Sequence, residues 1–190
     1  MEDTLTIATA EGVRIYAITT KNLVQEAADR HHTSHLATAA LGRAMSGALM
    51  LAATMKDGER ILLKLKGDGP MGEVVAEAQG TSVRGYVGEP DVFMPLKKAA
   101  SSISAARLGR EQLPLRVICR TVNRLQGMQN LPTVKLQPIS PIIFICPSRH
   151  HHQSRLAYLV DKDGKVLAAG GYFIQAMPGC DEEDAEKTWQ

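Results

Sequence analysis

Between Ile61 and Val87 the chain alternates apolar and polar residues in three short runs separated by Gly-rich turns. In the first run Ile61, Leu63 and Leu65 share one side, and Lys64 and Lys66 the other. Successive side chains of a strand face opposite ways, so this spacing specifies a strand with one buried face. Val74 to Ala78 and Val83 to Val87 follow as further strands, with GDGP and QGTS as the turns. Sheets of this kind need an apolar cover, and the preceding residues supply one.

Thr4 to Ala10 alternates, Glu11-Gly12 turns the chain, and Val13 to Ile18 resumes as a strand, a hairpin signal. Lys21 to Arg30 switches to helical spacing, with Leu23, Val24, Ala27 and Ala28 on one side. Thr33 or Ser34 caps a longer helix. That helix repeats Leu36, Ala40, Leu41, Ala44, Ala48, Leu49 and Ala52 at three- and four-residue steps, and Asp57-Gly58 ends it. Its small Ala face suits close packing on a sheet. Near the other end, Val166 to Ala169 and Tyr172 to Ile174 read as strand material around Gly170-Gly171, after a turn at Asp161 to Gly164. No internal repeat is visible.

The 190 residues suit one domain, or one domain plus a fragment of a second. Apolar content of 44% supports a sizeable core, and 4% aromatics make that core aliphatic. A net charge of +2 says little about partners. Glu2 and Asp3 stand where a secretory signal would carry basic residues. Leu36 to Met55 carries Arg43 and several Ser and Thr residues, so it reads as a buried helix rather than a membrane span. The expected location is the cytoplasm. Cys119, Cys146 and Cys180 are odd in number, far apart, and show no CxxC or CxC spacing. They read as reduced, lone cysteines.

Lys98 to Ala157 differs from the rest. It holds nine Lys or Arg against the single acid Glu111, while the flanks are net acidic. Four of the nine prolines fall between Pro132 and Pro147, and runs such as Pro141-Ile142-Ile143-Phe144-Ile145 and His150-His151-His152 appear.

Gly67-Asp68-Gly69-Pro70-Met71-Gly72 satisfies GxGxxG after a strand. A dinucleotide site needs a helix to begin at once, so that its amides meet the pyrophosphate. Glu73 to Ala78 reads as a strand instead, and Pro70 lacks an amide, so this is a hairpin turn. His31, His32 and His35 form HHxxH, and residues 31 and 35 on one helix face would suit a metal. No Glu occupies the position of a zincin base, so a capping and boundary role is the better reading. The run His150 to His152 is poor evidence for an evolved metal site. The basic middle, with seven arginines, suits phosphate, but only Phe144 is available for base stacking. No nucleophile–base pair or paired carboxylates stand out. No residue is nominated as catalytic, cofactor-binding or metal-ligating, and the chain reads as not an enzyme.

Five segments in order resemble the N-terminal domain of the Hsp33 family, the redox-regulated holdase chaperones of bacteria. They are His35 to Arg43 (HLATAALGR), Gly58 to Gly72 (GERILLKLKGDGPMG), Glu73 to Ala78 (EVVAEA), Val83 to Val87 (VRGYV) and Leu159 to Pro178 (LVDKDGKVLAAGGYFIQAMP). The resemblance implies an α+β fold, mixed β-sheets with helices packed between and against them. It implies an ATP-independent holdase that binds unfolded or misfolded client proteins under oxidative stress and forms a homodimer when active. It places residues 1–180 in that domain, with 98–157 atypical, and makes 181–190 the acidic start of a linker. Members switch on by losing zinc from a C-terminal CxC and CxxC module. Cys119, Cys146 and Cys180 do not match those ligands, so no cofactor, zinc site or redox switch is assigned, and the chain reads as truncated before that module.

Residues 98–157 do not match the family in their own frame. When the last base of each codon is joined to the first two of the next, Ser101 to Ile118 permits KLDISGASRKGTITVTRD. Pro138 to Leu159 likewise permits DFTYYFYxSEQTPSxVxLGVL, and both strings resemble the family. The segment therefore reads as a shifted frame from near Lys98 to near Leu159. Translated as printed, it is expected to be disordered or misdocked, because an unpatterned insert destroys sheet register. Two further readings stand beside the chaperone: a nucleic-acid-binding protein using the basic middle, and a non-functional gene fragment.

Overall fold

A computed structural model of the chain describes residues 2–10, 12–56, 58–66, 70–92, 115–121, 124–130, 152–161 and 163–177. Residues 115–121, 124–130, 152 and 153 are described by their backbone alone.

The chain opens with the hairpin β1 (Thr4–Ala10) and β2 (Val13–Thr19), paired from Thr4–Thr19 to Ala10–Val13. Gly12, at φ 72, supplies the left-handed residue that so short a turn requires. Helix α1 (Lys21–His31) ends at His32, itself left-handed at φ 50. Helix α2 (His35–Ala52) starts at Ser34, whose hydroxyl oxygen accepts from the Ala37 amide at 3.4 Å. The same hydroxyl donates to the Val92 carbonyl at 2.9 Å, tying the helix start to the loop after the meander. Of the two capping candidates, Ser34 fills the role.

The Ile61–Val87 region forms β3 (Arg60–Lys66), β4 (Glu73–Gln79) and β5 (Ser82–Val87), all antiparallel. The motif Gly67–Gly72 lies in the β3–β4 hairpin, closed by the Lys66–Glu73 pair, and Gly72 at φ 70 leads into a strand. The hairpin reading of that motif holds where it is described; residues 67–69 lie outside the described residues.

The middle of the chain differs from expectation where it is described. Strand β6 (Leu115–Thr121) pairs with β3, and β7 (Arg124–Asn130) pairs with β6. Register sets Leu63 against Val117, Lys64 against Arg116 and Leu65 against Leu115. The alternation of this short stretch is thus in phase with β3, which is the physical basis of the pairing. Strand β8 (His152–Val160) pairs with β9 (Val166–Ala176), a single strand running through Gly170-Gly171. The remainder of 98–157 lies outside the described residues.

Two antiparallel sheets result, β1-β2-β9-β8 and β5-β4-β3-β6-β7, hereafter sheet A and sheet B. Helix α2 packs on strands of both, so residues 4–19, 60–87 and 154–176 share one body. The fold is α+β with α2 between the sheets. Nearly every residue of α2 is buried, and Ala37, Ala44 and Ala48 are almost fully so. A helix apolar all round has no solvent face to offer. Small residues let the sheets approach closely: a Cβ on Gly85 would stand 2.7 Å from the Val75 carbonyl and 3.1 Å from Leu41. The core joins Leu41, Met45 and Leu49 of α2 to Ile61, Leu63, Val74 and Ala76 of sheet B and to Tyr16, Ile18 and Phe173 of sheet A.

Candidate functional site: the outer face of sheet A

The strand registers place residues in rows across sheet A. One row runs Thr4, Thr19, Gly170, Ala157, and the next Thr6, Ala17, Tyr172, Arg155. A third runs Ala8, Ile15, Ile174, and a fourth Ala10, Val13, Ala176. Leu159 opposite Ala168 extends the lattice at the other end. These positions alternate with Leu5, Tyr16, Ile18 and Phe173, which face α2, so they form the opposite, outer face.

This face is almost without charge: Arg155 is the one charged residue at the row positions named above. Leu159 is 57% exposed, and Leu167, in the irregularity beside it, 43% exposed. Thr4, Thr6, Ala8, Ala17, Ala157 and Ala168 are exposed as well. Val13 and Ala176 are buried and belong to neither core cluster, so the face is closed off at these two positions and open at the other rows.

Sheet B treats its outer face in the opposite way. Lys64 pairs with Glu73 at 2.7 Å, and the Tyr86 hydroxyl donates to Glu73 at 2.7 Å. Arg84 donates from Nε to Glu77 at 2.7 Å, and Arg60 stands 3.7 Å from the same carboxylate. Hydrogen bonds from Lys64 and then Tyr86 hold the Glu73 carboxyl below its usual range, and the Lys64 ammonium is raised by its bond to Glu73. A charged, cross-paired face resists desolvation. A face of Ala, Thr, Ile, Leu and Tyr gives up its water far more readily.

A buried polar seam seats β8 on α2 beneath that face. The Tyr158 ring lies over Arg43, 5.6 Å from the guanidinium carbon to the ring centroid. Its hydroxyl bonds the Gly42 carbonyl and Ser46, and Ser46 bonds Thr20 at 2.8 Å. Burial pushes the Tyr158 phenol up to about 12, against smaller opposing effects of Ser46, Thr20 and Arg43. Burial likewise lowers Arg43.

Among the described residues, those singled out from sequence do not assemble into a reactive centre. His31 ends α1 and His35 begins α2, so the two occupy different helices rather than one helix face, with the left-handed His32 between. The helix break consumes the spacing that a metal would use. His152 begins β8, while His150 and His151 lie outside the described residues. Cys119 lies on β6, and Cys146 and Cys180 lie outside the described residues. Among the described residues, no group of three or more His, Cys, Asp or Glu stands together as a metal ion requires. The three cysteines show neither CxC nor CxxC spacing. Among the described residues, no helix is long and apolar enough to cross a membrane.

Two sheets sandwich an apolar helix, with one outer sheet face charged and cross-paired and the other carrying Arg155 alone at the rows named above. Comparison with known proteins gives the chain's family. A family model described as "Hsp33 protein" matches residues 3–190, and the chain belongs to the Hsp33 family. It is 32% identical over 189 residues to the 33 kDa chaperonin of Desulforamulus reducens, covering 98% of this chain and 64% of that protein. The 33 kDa chaperonin of Enterococcus faecalis is 34% identical over 178 residues, covering 90% and 58%. The crystal structure of the Thermotoga maritima 33 kDa chaperonin superposes with a TM-score of 0.82 at 30% identity, covering 96% of this chain and 63% of that one. The chain thus spans less than two thirds of the length of these relatives.

Proposed function

We propose that this chain is an ATP-independent holdase of the cytoplasm that captures unfolding polypeptides under oxidative stress and keeps them from aggregating. The observation that carries this reading is the outer face of sheet A, apolar and uncharged apart from Arg155, with Leu159 and Leu167 exposed at one end. Unfolding proteins expose apolar segments, and such segments gain most by covering surface that sheds water at little cost. A face with so few fixed charges also discriminates weakly among clients, which suits a binder of many sequences. No bond is made or broken, so the reading assigns no enzymatic chemistry. The relatives' name, 33 kDa chaperonin, supports it. Homodimerisation belongs to the same reading, and nucleic acid is not among its partners.

Light scattering of a thermally unfolding client tests it. Equimolar chain is expected to suppress the scattering without nucleotide, and Leu159→Glu to weaken suppression without changing the chain's own melting. Unchanged scattering in the presence of folded chain would overturn the proposal, as would full activity of the variant.

A further inference from the structure

We infer that the free edge of β1 takes up an extended segment of an unfolded polypeptide by strand addition, an inference that rests on the holdase reading above. Strand β1 ends the row of sheet A, and among the described residues no strand pairs with its far side. The two-residue turn makes Ala10 and Val13 a hydrogen-bonded pair, and the alternation continues through Ala8, Thr6 and Thr4. The Thr4 amide accordingly points at β2, where it meets the Thr19 hydroxyl at 2.9 Å. The amides and carbonyls of Leu5, Ile7 and Thr9 therefore point outward. Ile7 is 53% exposed, and only Leu5 of the whole strand is even partly covered.

Exposed edges are normally blunted by charge, proline, glycine or brevity. The other edges carry such devices: Arg84 and Gly85 on β5, Arg124 and Gly127 on β7, Arg155 on β8. Thr4–Ala10, TLTIATA, carries none. The occupant follows from the chemistry. Outward main-chain donors and acceptors are matched only by another extended backbone, and main-chain bonds do not read sequence. A strand added here would also extend the outer-face lattice by one column, beside the uncharged Thr4, Thr6 and Ala8, so one segment gains both kinds of contact. A second copy of this chain fits less well. Two seven-residue strands, mostly Thr and Ala with Leu5 and Ile7, meeting edge to edge bury far less than the roughly 1,000 Å² of a stable interface.

The test is residue-resolved hydrogen exchange on the full chain, alone and with saturating reduced, carboxymethylated α-lactalbumin, a soluble and permanently unfolded probe. In the free chain Leu5, Ile7 and Thr9 exchange fast while Thr6 and Ala8 are protected. With probe, the three fast amides are expected to slow at least tenfold, and Thr9→Pro, which removes an outward donor, to weaken probe binding at least fivefold. If the probe binds and these amides stay fast, strand addition is wrong while the holdase reading survives. If protection appears without probe and grows with protein concentration, the edge takes a second copy and the inference fails. If the probe does not bind at all, the holdase reading fails and this inference with it.

Discussion

The Tyr158 hydroxyl of β8 donates to the Gly42 carbonyl of α2 at 2.7 Å. A phenol has one proton, so Ser46 must donate to the Tyr158 oxygen, and Thr20 in turn to Ser46. The relay has one direction and ends on a helix carbonyl. It pins sheet A to the helix that also carries sheet B.

Removing that hydroxyl with Tyr158→Phe takes away the bond to the Gly42 carbonyl and leaves the Ser46 hydroxyl with Thr20 alone. The expected cost is about 1–3 kcal/mol, read from denaturant unfolding. The pH dependence has a definite sign. The folded phenol titrates at about 12, above its ordinary value of 10.0, so the folded chain holds this proton more tightly than the unfolded one. That contribution is complete below pH 10 and is lost as pH rises through 12, in all about 2–3 kcal/mol. Stability of the unaltered chain should fall more steeply between pH 10 and 12 than that of Tyr158→Phe. Parallel curves would show that the phenol is not held as described.

Gly42 faces the same ring. A Cβ there would stand 2.8 Å from Tyr158 Cε1 and 2.9 Å from Val24 Cγ1. Gly42→Ala is expected to destabilise by about 1–3 kcal/mol despite the better helix propensity of Ala. The penalty should shrink in a Tyr158→Ala background, which a double-mutant cycle measures directly.

Helix α1 has no capping bond from Thr20. Asp3 fills the role from outside, accepting from the Asn22 amide at 3.0 Å and the Leu23 amide at 2.7 Å. Asp3→Ala should lower stability by about 0.5–2 kcal/mol, and Asp3→Asn by less, in thermal unfolding followed by circular dichroism.

The outer face of sheet A lacks both signs of charge apart from Arg155. Ala17→Lys and Ala17→Glu should therefore weaken capture of an unfolding client alike. A loss confined to one sign, measured by scattering at matched ionic strength, would mean that capture is driven by charge.

We propose a shifted reading frame over residues 98–157. It is expected to appear as compensating insertions or deletions near Lys98 and Leu159 on resequencing, with KLDISGASRKGTITVTRD-like peptides in digests of the native protein. Native peptides containing PIIFICPSR would count against it.

Much of the fold was legible where the pattern was local. Alternation from Ile61 to Val87 gave β3, β4 and β5, and the Ser34 position gave the start of α2. Strands β6 and β7 were missed because their alternation is short and sits in proline-rich, basic surroundings. The outer face of sheet A was invisible for another reason. Its columns come from residues 4–19 and 155–176, and only the registers of β2 with β9 and β9 with β8 bring them together. The sole local hint was β1, whose alternation uses Thr and Ala where Lys or Glu would usually stand. The Asp3 cap escaped because it lies beyond the few residues that capping rules inspect.

Strand β2 receives its inner neighbour only from Val166–Ala176. On the ribosome, the amino-terminal hairpin emerges first and then waits, one side unzipped, until residue 176 has cleared the exit tunnel. Closure of sheet A is therefore a late event spanning most of the polypeptide, and such long-range pairing is slow. For that interval the nascent chain displays two sticky borders, on β1 and on β2, and among the described residues only the border on β2 gains a partner strand.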